Sequence, residues 1–74
     1  MQRTEALQLG EAIRHQRQLK GYSQLQLTMM TTSSQATISR LELGQVPNPS
    51  MDMLTGISKA LSLKVSELLN LGGL

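Results

Sequence analysis

Apolar residues recur at helical rather than strand spacing along most of the chain. Ala6, Leu9 and Ile13 stand three or four places apart, Gln16 and Arg17 complete the same face, and Glu11, Arg14, His15 and Gln18 fall mostly outside it. This predicts a first helix from about Ala6 to Lys20. Lys20 puts a cation in its last turn, and Gly21 is the residue type that best tolerates the left-handed conformation that ends helices. A second helix starts at Ser23, whose hydroxyl caps it while Gln26 reaches back to complete a capping box, with Leu27 and Met30 as predicted core positions. A third runs from Ser33 or Ser34 to about Leu41, turning Ile38 and Leu41 inward, and Gly44 stops it. Gln45-Val46-Pro47-Asn48-Pro49 cannot continue a helix, because each proline lacks an amide donor and restricts the residue before it. Ser50 then caps a fourth helix, with Asp52 in its first turn and Met53 or Leu54, Ile57 and Leu61 at core spacing. Gly56 weakens its interior by about 1 kcal/mol relative to alanine. After a break at Ser62 to Lys64, Val65 to Leu71 forms a short apolar fifth helix, capped by Ser66 and closed by Gly72-Gly73.

None of these segments is long enough to be stable alone, so they must share one core. A chain of 74 residues has room for one domain, with its core between about residues 6 and 71, and none for a second module. Apolar residues make up 39% of it, yet the only aromatic is Tyr22. Aliphatics alone pack helices well, whereas small β-sandwiches and barrels lean on β-branched and aromatic residues, so the expected class is all-α. There is no cysteine, which removes disulfides and thiolate metal sites. No apolar stretch approaches the ~18 residues needed to cross a bilayer, so no membrane or targeting segment and a cytoplasmic location are expected.

The net charge of +2 is a weak argument for any partner, but its distribution is uneven. Through Gly44 the cations Arg3, Arg14, Arg17, Lys20 and Arg40 outnumber Glu5, Glu11 and Glu42; beyond it Lys59 and Lys64 balance Asp52 and Glu67. The excess sits in the first half, which also carries the second and third helices, joined by a few small polar residues. That spacing brings one short helix steeply across the other. With Ile38 and Leu41 anchored inward, Gln35, Ala36, Ser39 and Arg40 occupy the outward face of the third helix. Glutamine there offers two hydrogen bonds to adenine, arginine grips guanine and alanine touches a thymine methyl, the chemistry that reads the major groove.

These residues resemble the lambda-repressor-like, or XRE, helix-turn-helix regulators. Ile13, Arg14, Arg17, Gly21, Ser23 and Gln24 fall at the family's places in the first helix and the entry to the second. Ala36-Thr37-Ile38-Ser39-Arg40-Leu41-Glu42-Leu43-Gly44 resembles its recognition helix without a gap. Asn48-Pro49-Ser50 and Ala60-Leu61 resemble the start and end of its fourth helix. The resemblance implies a compact five-helix domain that binds double-stranded DNA and regulates transcription. It implies phosphate contacts from Gln24, Ser34 and Thr37, and base readout by Gln35, Ala36, Ser39 and Arg40, with a phosphate as the other role open to Arg40. Arg17 and Glu42 match a pair that forms a structural salt bridge in the family. The departures lie in the turn, where Thr28, Thr31, Thr32 and Ser33 replace small, apolar or glycine residues. Thr32 must then accept a poor left-handed conformation, or the turn must open differently.

Other candidate chemistry is sparse. His15 is the sole histidine, with no cysteine or carboxylate at metal-ligand spacing, so it reads as a solvated helix residue and no metal or cofactor is expected. The acids are dispersed over different helices and the serines serve as caps, so no enzyme is expected. Of the pair Met29-Met30, Met30 reads as a core gap-filler. Leu19, Leu25 and Leu43 fall on predicted solvent faces. With Leu68, Leu69, Leu71 and Leu74 they leave apolar surface that self-association would cover. A homodimer through the fourth and fifth helices would set two recognition helices ~34 Å apart and call for a palindromic operator and a repressor acting by occupancy. The competing reading is a protein-interaction adaptor, or an antitoxin whose leucine-rich surface holds a toxin.

Overall fold

A computed structural model describes residues 1–74 as five helices and no strand: α1 (Arg3–Leu19), α2 (Gln24–Met29), α3 (Gln35–Glu42), α4 (Met51–Ala60) and α5 (Val65–Leu71). The all-α expectation holds, and the differences lie mainly at helix entries. α1 begins at Arg3 rather than Ala6, because the Gln2 amide donates to Glu5 Oε1 at 2.9 Å and the Gln2 carbonyl accepts from Ala6 at 2.9 Å. A polar capping turn carries no apolar periodicity, so the hydrophobic pattern does not register it. α5 is entered the same way, through Lys64, whose amide donates to Glu67 Oε1 at 2.9 Å. Ser66 is therefore not its cap; it lies exposed inside the helix. The expected caps hold elsewhere, with Ser23 Oγ accepting from Gln26 at 3.0 Å, Ser34 Oγ from Thr37 at 3.1 Å and Ser50 Oγ from Met53 at 3.1 Å.

The exits of α1, α3 and α4 share one device. After α1 the Tyr22 amide bonds the Arg17 carbonyl at 3.1 Å, after α3 Gln45 bonds Arg40 at 2.9 Å, and after α4 Leu63 bonds Ser58 at 2.8 Å. Each wrap needs a left-handed residue just before its donor. Gly21 (φ 74°) and Gly44 (φ 73°) supply it twice, but after α4 the residue is Ser62, at φ 59°. A side chain in that conformation costs about 1 kcal/mol or more, which explains why the sequence shows a break there without a glycine to mark it.

Leu9, Ile13, Leu27, Ile38, Leu41, Ile57, Leu61 and Leu68 form the fully buried centre, with Tyr22, Val46, Met53 and Leu63 packed around it. Met30 is not among them. It caps the C-terminus of a helix only six residues long and is 46% exposed, because α2 ends before a second inward turn is complete. The C-terminal leucines also divide: Leu68 is core, Leu69 and Leu74 are half-buried against it, and only Leu71 is exposed.

α1 runs across both α3 and α5, and the crossing with α3 is close because of Gly10. A β-carbon at position 10 would collide with the Leu41 carbonyl oxygen and stand 2.7 Å from that of Glu42. The absence of a side chain there sets the depth at which α3 sits on the scaffold.

Candidate nucleic-acid interface

α3 separates its faces cleanly. Ile38 and Leu41 are at most 1% exposed and join the core, while Gln35, Ala36 and Arg40 are exposed and Ser39 is half-buried beside them. The side chains of Gln35, Ala36, Ser39 and Arg40 take part in no hydrogen bond or ion pair with the rest of the protein, so their polar groups are open to a partner. Ser34 caps the helix, and its hydroxyl both accepts from the Thr37 amide at 3.1 Å and pairs with the Thr37 hydroxyl at 2.9 Å. Two hydroxyls share one such bond, so one hydroxyl hydrogen remains to donate at the N-terminal end of α3.

The orientation of α3 is held by a buried charge cluster. Arg17 Nε donates to Glu42 Oε2 at 2.7 Å and Nη2 to Glu42 Oε1 at 3.1 Å, while Nη1 reaches the Tyr22 carbonyl at 2.7 Å. The two side chains are 11% and 3% exposed. This two-point geometry fixes rotation as well as distance, which one lysine could not do. Gln24, at the start of α2, adds a third donor, its Nε2 lying 3.1 Å from Glu42 Oε1. Sequence reasoning missed that bond. It places the Gln24 side chain over the salt bridge, joining α1, α2 and α3 through one carboxylate.

The turn between α2 and α3 opens without a left-handed residue, since Ser62 is the only non-glycine with positive φ. Hydroxyls take over the work. Thr28 Oγ1 donates to the Gln24 carbonyl at 2.8 Å, Thr31 Oγ1 donates to the Thr28 carbonyl at 3.3 Å, and Thr31 Oγ1 accepts from the Ser33 amide at 3.2 Å. These are local side-chain bonds of the kind that stabilise turns in place of backbone ladders, and they leave Thr32 exposed and unstrained.

Two short helices joined by a tight turn, the second anchored by its inner face and presenting unpaired hydrogen-bonding side chains on the outer one, define a helix-turn-helix of the kind that enters a DNA groove. The comparison with known families agrees. A helix-turn-helix family model matches residues 13–68, from the middle of α1 to the last core leucine of α5. The chain belongs to that family, the lambda-repressor-like (XRE) helix-turn-helix proteins, which places it among DNA-binding transcriptional regulators. No curated protein sequence matches it. No helix is long and apolar enough to cross a membrane.

Proposed function

We propose that this protein binds double-stranded DNA sequence-specifically in the cytoplasm and represses transcription by occupying a palindromic operator as a homodimer. The observation that carries this reading is the outer face of α3. Gln35, Ala36, Ser39 and Arg40 take no part in the hydrogen bonding of the fold, yet they lie along a helix fixed rigidly by Arg17 and Glu42. In this reading Gln35 and Arg40 read base edges, Ala36 and Ser39 lie against the floor of the major groove, and Gln24, Ser34 and Thr37 set register on phosphates. Gln24 must keep or exchange its bond to Glu42 as it does so.

A second reading, an adaptor or toxin-binding antitoxin, draws support from Leu19, Leu25 and Leu43, which are 67%, 54% and 58% exposed. Selection of bound sequences from a pool of random duplexes at physiological salt separates the two, because salt suppresses sequence-independent attraction. An enriched inverted repeat is expected; no enrichment from the folded protein favours the protein-binding reading. On the selected operator, Gln35→Ala with Arg40→Ala should lose about 1–3 kcal/mol of discrimination per residue, leaving the circular dichroism spectrum unchanged. Full operator binding by that double variant would remove both residues from the readout set.

A further inference from the structure

A shallow groove of about 280 Å³ runs beside α3, lined by Arg14, Arg17, Gln24, Ser39, Glu42 and Leu43. It holds two guanidinium groups, and they are in different states. That of Arg17 is closed off, with all three nitrogens bonded and its charge met by Glu42. Arg14 is exposed and has no carboxylate within ion-pairing distance. With Arg17 and Glu42 cancelling, the whole formal charge of the groove is that of Arg14. Ser39, on the face that points toward base edges in the reading above, lines the same groove.

A helix seated in a major groove about 12 Å wide has a phosphate strand along each flank. Arg14 stands on α1, at the flank of α3 and not on its outer face, so an unpaired cation there meets backbone, not bases. We infer that Arg14 is a DNA-phosphate contact, and that α1 is thereby a DNA-binding element as well as the scaffold for α3. The inference rests on the DNA-binding reading and assigns that site a further residue. Its counterpart on the same helix, Arg17, is excluded from this role because Glu42 meets its charge and its side chain is only 11% exposed.

The test is anisotropy of a labelled mixed-sequence duplex across a salt series, using the full chain and the variants Arg14→Gln, Arg14→Lys and Lys64→Gln. Each phosphate contact contributes about 0.9 to the slope of log K against log salt, so Arg14→Gln should flatten that slope by about 0.9 and lose roughly 3.5-fold less affinity than wild type between about 50 and 200 mM salt. Arg14→Lys should keep the wild-type slope, since a phosphate accepts either cation. Lys64→Gln removes the same charge at the entry to α5 and should leave the slope in place. An unchanged slope for Arg14→Gln, or an equal drop in both glutamine variants, overturns the inference. Wild-type protein with no salt-dependent binding at all would instead overturn the DNA reading on which it stands.

Discussion

Glu42 and Ser58 are the two buried polar side chains, 7% and 1% exposed, and they meet opposite fates. The Glu42 carboxylate receives three hydrogen bonds, two from Arg17 and one from Gln24. The Ser58 hydroxyl has no partner. Truncating Glu42 to alanine would strand the Arg17 guanidinium in a nearly closed site, at about 3–5 kcal/mol. That is a large share of the roughly 4–11 kcal/mol usual for a chain of 74 residues. Urea unfolding followed by circular dichroism should show the midpoint fall sharply, and a midpoint within error of wild type would rule out a structural role for the pair. Ser58→Ala has no hydrogen bond to lose and is expected to raise stability by about 1 kcal/mol; a lowered melting temperature would show that the hydroxyl is bonded in solution. Loss of DNA binding by Glu42→Ala would report on the posture of α3, not on a contact.

At the scale of elements, the sequence was most legible where apolar spacing or a hydroxyl cap marked a helix, as at Ser23, Ser34 and Ser50. It was least legible where a polar residue did a job usually given to another type. Glu5 and Glu67 close helix entries without a hydroxyl cap, and Ser62 stands where a glycine is expected. The hydroxyls of Thr28 and Thr31 tie the turn that would otherwise need a left-handed residue. The outward face of α3 could be read directly, because the inward positions of a short helix leave only one other side. The bond from Gln24 to Glu42 could not, since it joins residues 18 apart. Two glycines make the same point. Gly56 stands out in the sequence as a weak place in α4, and nothing lies within 4 Å of a β-carbon built there. Gly10 leaves no sign in the pattern, yet it lets α1 pack directly against the backbone of α3. Gly56→Ala is therefore expected to stabilise by about 0.4–1 kcal/mol, while Gly10→Ala should destabilise by about 1–3 kcal/mol through overpacking against backbone. Thermal melts of the two variants test this; movement of both in one direction would contradict the crossing described for α1 and α3.

The whole molecule exposes 4537 Å², close to the ~4,500 Å² of a folded monomer of its mass, so the protomer closes its own core. Exposed apolar side chains are spread from Leu19 and Leu25 through Met29 to Leu71 rather than gathered on α5. A standard interface takes about 800 Å² from each partner, more than Met51 and Leu71, the large apolar side chains exposed on α4 and α5, can offer alone. Self-association should accordingly be weak in free solution and completed on the operator. Sedimentation is expected to show monomer at low micromolar concentration, and titration of the selected inverted repeat should saturate at two chains per duplex. Saturation at one chain per duplex would end the homodimer proposal. The division of α3 into an anchored face and an idle one also bears on descent. Substitutions at positions 35, 36, 39 and 40 disturb neither the salt bridge nor the core, so on the proposed reading a lineage built on this scaffold can drift to new target sites by single mutations, each tried without endangering the fold.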